Sequence, residues 1–125
     1  MTGSWITNAG GGIAAFIDSG ADYNTISLST ITTSGASSSA ALDILGGRYN
    51  VVTQSHISNP TGYGVLFAGG ANFNTISLST MTNNSGSYFA LYITASSSNT
   101  VTQSYAANLS GISVALESGA GYNTV

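Results

Sequence analysis

The string Asn-Thr-Ile-Ser-Leu-Ser-Thr occurs twice, at Asn24–Thr30 and Asn74–Thr80, and Val-Thr-Gln-Ser recurs at Val52–Ser55 and Val101–Ser104. Aligned on the asparagine, these strings share one period: Asn24, Asn50, Asn74, Asn99 and Asn123 follow one another at intervals of 26, 24, 25 and 24 residues. Repetition on this scale marks a solenoid or array, whose single repeat is too small to bury a core and is stabilised by stacking on its neighbours. Met1 falls at the position of Ile26 one period earlier, so the chain spans about five coils of 24–26 residues, approximately 1–25, 26–51, 52–75, 76–100 and 101–125.

Each period contains three stretches of strand-like alternation. The first is Thr25-Ile26-Ser27, matched by Val51-Val52-Thr53, Thr75-Ile76-Ser77 and Thr100-Val101-Thr102, with Ile or Val always in the middle. The second centres on Ile6, Ile31, Ile57, Met81 and Ala106. The third reads Ile13-x-Ala15-x-Ile17, Ala40-x-Leu42-x-Ile44, Tyr63-x-Val65-x-Phe67, Phe89-x-Leu91-x-Ile93 and Ile112-x-Val114-x-Leu116, all expected to face inward. Turn-forming clusters at Asn8–Gly12, Thr33–Ser38, Asn59–Gly62 and Asn83–Ser87 separate the second stretch from the third. Coils stacked at the strand spacing of about 4.8 Å would align the inward residues into apolar columns. The expected fold is all-β, a three-sided parallel solenoid.

The phrase Asn-Thr-Ile-x-x-x-x-Ile, a glycine-containing turn and alternating aliphatics together resemble the right-handed parallel β-helix repeats of the pectate-lyase-like superfamily, and within it the NosD-like and bacterial surface-protein branch. The resemblance covers the whole chain and implies a right-handed β-helix. It departs from the pattern at one corner: where such proteins often carry an asparagine ladder, this chain reads Leu28, Gln54, Leu78 and Gln103.

Charge narrows the function. Only 4% of residues are charged, there is one Arg and no Lys, and the net charge is −3. Nucleic-acid binding depends on clustered basic residues, so it is not expected. No stretch approaches the roughly 20 apolar residues of a membrane helix, and the start of the chain lacks the basic and apolar segments of a signal peptide. Without cysteine there is neither a disulfide nor a thiolate metal site.

The asparagine column is read as a hydrogen-bonded structural ladder. Tyr23, Tyr49, Phe73 and Tyr122, one residue earlier, make an aromatic ladder interrupted by Ser98. Thr25, Ser27, Thr53, Thr75, Ser77, Thr100 and Thr102, with Val51 interposed, form a hydroxyl-rich candidate binding face similar to the ice-binding faces of β-solenoid antifreeze proteins. Trp5, His56 and Tyr105 share one column and are candidates for contact with a glycan or a protein. Asp22 and Arg48 should pair across adjacent coils as a surface ion pair. Asp18 and Asp43 lie in neighbouring coils but diagonally, and are read as solubilising charge. His56 has no titratable partner to make it a base or a metal ligand. No catalytic residue, cofactor or metal is expected, and the chain is not expected to be an enzyme.

The expected function is that of a structural module of an extracellular fibre, stalk, adhesin or surface protein. The alternatives are an ice- or polysaccharide-binding solenoid and a non-catalytic fragment of a carbohydrate-active enzyme. Composition and resemblance place the protein outside the cell or on its surface. The chain begins and stops in the same phase of the repeat, so the expected partner is a second copy, joined head to tail or through strand edges.

Overall fold

The computed structural model describes residues 1–34 and 38–125, so residues 35–37 of the Thr33–Ser38 turn cluster lie outside the described residues. The chain is all-β, a right-handed parallel solenoid with three sheets. Its strands are β1 (Trp5–Asn8), β2 (Ala15–Ile17), β3 (Thr25–Ser27), β4 (Thr30–Thr33), β5 (Ala40–Leu45), β6 (Val51–Thr53), β7 (His56–Asn59), β8 (Tyr63–Ala68), β9 (Thr75–Ser77), β10 (Thr80–Asn83), β11 (Leu91–Thr94), β12 (Thr100–Thr102), β13 (Tyr105–Asn108) and β14 (Val114–Glu117). The first sheet runs β3-β6-β9-β12, the second β1-β4-β7-β10-β13 and the third β2-β5-β8-β11-β14. Four turns therefore carry all three strands, and β1 and β2 add part of another.

Every strand pairs in parallel with its equivalent one coil away. Ile26, Val52, Ile76 and Val101 are in register, as are Ile6, Ile31, Ile57, Met81 and Ala106. In the third sheet Ile17, Ile44, Phe67, Ile93 and Leu116 align, beside Ala15, Leu42, Val65, Leu91 and Val114. In the middle coils these side chains are buried and form one continuous cluster. Each fully buried aliphatic contributes about 2 kcal/mol, so the columns are the main source of stability.

The third sheet corrects one expectation. Alternation placed Ile13, Ala40, Tyr63, Phe89 and Ile112 inside, but only Ala40 is buried; Tyr63 and Phe89 are half-buried, and Ile13 and Ile112 are exposed. The chain bends on entering this sheet, so the next residue turns inward instead. That column reads Ala14, Ala41, Gly64, Ala90 and Ser113, all small. The backbones crowd here: a Cβ on Gly64 would sit against the carbonyl oxygen of Ala90.

The other two corners use left-handed backbone. Gly3, Leu28, Gln54, Leu78 and Gln103 follow the first sheet with φ between 48° and 59°. Tyr23, Tyr49, Phe73, Ser98 and Tyr122 precede it with φ between 57° and 60°. A non-glycine residue in this region costs roughly 1–2 kcal/mol. At each repeat of the second corner the same cross-coil bond forms: the N–H groups of Tyr23, Tyr49, Phe73 and Ser98 donate to the carbonyls of Arg48, Asn72, Ser97 and Gly121 at 3.1–3.3 Å.

Candidate functional site

The asparagine column lies inside this second corner, with Asn50, Asn74 and Asn99 each 1% exposed. The Oδ1 of each asparagine accepts two bonds from the preceding rung, from the backbone N–H at 2.8 Å and from Nδ2 at 3.0–3.2 Å, running without interruption from Asn24 to Asn123. The remaining Nδ2 hydrogens of Asn74, Asn99 and Asn123 go to the carbonyls of Gly47, Ala71 and Ser96 at 2.8–2.9 Å. The inner rungs Asn74 and Asn99, buried and with both amide groups thus engaged, present no polar edge to a ligand, whereas Asn24 at the end of the column is exposed.

Two further polar columns escaped the sequence reading. Ser4, Ser29, Ser55, Ser79 and Ser104 form a serine ladder. The backbone N–H of each of the first four donates to the Oγ of the next at 3.1–3.2 Å, while that Oγ donates to the carbonyl two residues before it. The signal was present, because serine recurs at intervals of 25, 26, 24 and 25 residues within the repeated strings. The second column, Asn8, Thr33, Asn59, Asn83 and Asn108, closes the second sheet and ties down the turns. Asn59 shows the design: Nδ2 donates to the Ser39 carbonyl, and Oδ1 accepts from the backbone N–H groups of Thr61 and Gly62.

Outside the same corner, Tyr23 stacks on Tyr49 at 5.0 Å between ring centroids and Tyr49 on Phe73 at 5.1 Å, with planes within 6°. Tyr122 lies beyond Ser98 and is 94% exposed. A second aromatic group, which the sequence reading did not single out, covers part of the third sheet. There Tyr63 stacks on Tyr92 at 5.2 Å and meets Tyr88 edge-on, while Tyr92 donates its hydroxyl to Glu117 at 3.1 Å. Burial, then the neighbouring Tyr92, Tyr88 and Glu117, push the Tyr63 hydroxyl pKa upward.

The hydroxyl face occupies the outside of the first sheet. Thr25, Val51, Thr75, Thr100 and Thr124 form one column and Thr2, Ser27, Thr53, Ser77 and Thr102 the other. Part of its polarity is turned inward on itself: Thr2 Oγ1 and Ser27 Oγ share a hydrogen bond, and Ser77 Oγ donates to Thr53 Oγ1, each at 3.0 Å. On the second sheet, Trp5, Thr30, His56, Thr80 and Tyr105 are in register, so a threonine separates each of the three candidate contacts. Beside Tyr105, a groove of about 250 Å³ is lined by Ser58, Pro60, Thr82, Asn84 and Leu109 among others.

The acidic groups behave unlike surface pairs. Asp22 Oδ1 accepts the backbone N–H of Arg48 at 2.7 Å. Among the described residues no side-chain ion pair joins Asp22 and Arg48, and the exposed guanidinium stays in water, where a surface pair would gain little. Asp43 sits on the outside of the third sheet between Phe16 and Leu66 in register. Burial there, followed by the nearby Asp18 charge, raises its pKa from 3.8 to about 6. Its Oδ1 is buried without a hydrogen-bond partner. Asp18 spends its Oδ1 on the Ser19 N–H.

Among the described residues no three His, Asp or Glu side chains converge as a metal site, and no helix is long and apolar enough to cross a membrane. No curated protein and no solved structure matches the chain significantly. A family model described as right handed beta helix region matches residues 1–125, and with the coil geometry above this places the chain in that family.

Proposed function

We propose that the chain is a structural solenoid module, a rigid length of an extracellular fibre, stalk, adhesin or surface protein that extends by stacking coil on coil. The observation that carries this reading is the direction of its ladders. In the asparagine and serine columns the backbone N–H of each rung donates to the Oδ1 or Oγ of the following coil, in the same direction at every step. A coil face on the N-terminal side therefore offers Oδ1 and Oγ acceptors, and one on the C-terminal side offers N–H donors. Stacking is complementary head to tail and mismatched head to head, whether the next coil belongs to the same polypeptide or to another copy. Such a rod involves no catalysis. Electron microscopy of the purified chain should show rods or filaments about one coil wide. A compact monomer in sedimentation at high concentration would exclude self-association.

A second reading is favoured by one observation: nine of the ten positions in the two outward columns of the first sheet carry a hydroxyl, Val51 being the exception. A flat array of this kind suits ordered water, and so an ice surface. Thermal hysteresis lost on replacing Thr75 and Thr100 by Lys would support it; freezing behaviour indistinguishable from that of an inert protein would remove it.

A further inference from the structure

The aromatic ladder has a missing rung. Ser98 has the same left-handed backbone as Tyr23, Tyr49, Phe73 and Tyr122, and its N–H makes the same bond to the next coil. A side chain there leaves the backbone as its ring-bearing neighbours do, but ends at a hydroxymethyl group. Since rungs repeat at 5.0–5.1 Å, the Phe73 and Tyr122 positions stand two rungs, about 10 Å, apart. Tyr122, which stacks on no ring, is 94% exposed; Tyr23 and Phe73, each with one ring neighbour, are 75% and 47% exposed, and Tyr49, between two rings, 43%.

We propose that the gap over Ser98 is a binding slot for one flat aromatic ring of a small planar ligand, taken up as the absent rung between Phe73 and Tyr122. The spacing selects the occupant. Rungs in this ladder lie parallel within 6°, so a flat ring restores contact on both of its faces, and its edge substituents remain in solvent. The slot is one rung wide and bounded by Phe73, which restricts it to one planar ring system, single or fused. The left-handed backbone at Phe73 and Ser98 is held by their N–H bonds to the Ser97 and Gly121 carbonyls of the next coil, and Tyr122 has the same left-handed φ.

Indole is a suitable probe. Titrated into the intact isotopically labelled chain, it should shift the amide signals of Phe73, Ser98 and Tyr122 and approach saturation in the millimolar range. Ser98→Tyr fills the slot with the protein's own ring, abolishes the shifts and raises Tm. Tyr122→Ala removes an almost fully exposed wall, leaves the fold intact and weakens binding by about threefold to tenfold, the range expected for loss of one ring pair. Failure of the native chain to bind, shifts centred instead on the exposed Trp5 or Tyr105, or unchanged binding in Tyr122→Ala would overturn the proposal. Equal competition by methyl glucoside would overturn its aromatic selectivity. Self-association that indole competes away would place a neighbouring copy's side chain in the slot and refute the small-ligand assignment.

Discussion

The Oδ1 of Asn74 accepts from both the backbone N–H and the Nδ2 of Asn50, in a site that water does not reach. Replacing it by alanine strands two buried donors at once, each costing roughly 1–3 kcal/mol. Asn74→Ala should therefore lower unfolding free energy by about 3 kcal/mol in a urea titration, whereas Asn123→Ala, in a half-buried rung, should cost about 1 kcal/mol. Asp43 supplies a test of opposite sign. Because its folded pKa is raised to about 6, the folded state holds that proton more tightly than the unfolded chain does. The resulting stabilisation is complete below about pH 4 and is lost as pH rises through about 6. Asp43→Asn should flatten that decline. Above about pH 6 it should exceed the native chain in stability by about 1 kcal/mol, a figure already reduced for the carboxyl's partial contact with water. Thermal unfolding of both proteins across this range decides it: an unchanged slope would mean that Asp43 is solvated like an ordinary surface acid.

Within single elements, the entry to the third sheet is closely packed. Ala41 and Ala90 accommodate a methyl group in the small-residue column, but Gly64 faces the Ala90 carbonyl oxygen and the Thr82 carbonyl. Gly64→Ala must push β8 from β11 and should cost about 1–3 kcal/mol, the range of an overpacked core. Its signature would be faster amide exchange at Val65 and Leu91, whose N–H groups bond to the next coil at 2.9 and 3.0 Å. This bend also shows where the sequence ceased to be legible. The strand centres could be read because Ile, Val, Leu and Phe repeat in phase, and the asparagine column because one residue type recurs alone. Alternation then carried Ile13, Tyr63, Phe89 and Ile112 inward, since a period of two cannot register a bend that buries Ala41 and Leu42 in succession. Serine at a strand corner reads locally as a turn residue, so its ladder becomes visible only when the columns are aligned. Left-handed φ at Tyr, Phe and Leu runs against residue preference. Gly3, in the column of Leu28, was the one hint, and tertiary hydrogen bonds outweigh the local cost.

For the whole molecule, the repeat makes stability a property of neighbours. Each coil contributes its own strands and two interfaces, so the free energy is approximately a sum of coil and nearest-neighbour terms. The middle coils bury Ile31, Ile57, Ile76 and Met81 completely, while Ile6, Ala106 and Val114 toward the two ends of the stack are only partly covered. Opening should therefore begin at the outer coils and move inward. Hydrogen exchange should protect amides of β6, β7 and β9 longest and those of β1 and β14 least, in a graded order along the axis instead of a single global class. The same additivity predicts the effect of lengthening the rod. Inserting a second copy of residues 76–100 after residue 100 adds one complete coil in phase, with its Asn, Ser and apolar rungs meeting their equivalents. The longer chain should show a urea m-value larger by about a fifth, because exposed surface on unfolding scales with length, and slower exchange throughout the middle coils. An insertion of 20 residues, roughly four-fifths of a period, would throw every column out of register and should lower stability despite the added chain. If both insertions behaved alike, the coils would not be held by residue-on-residue stacking, and the directional ladders on which the proposed rod depends could not be what joins one coil to the next.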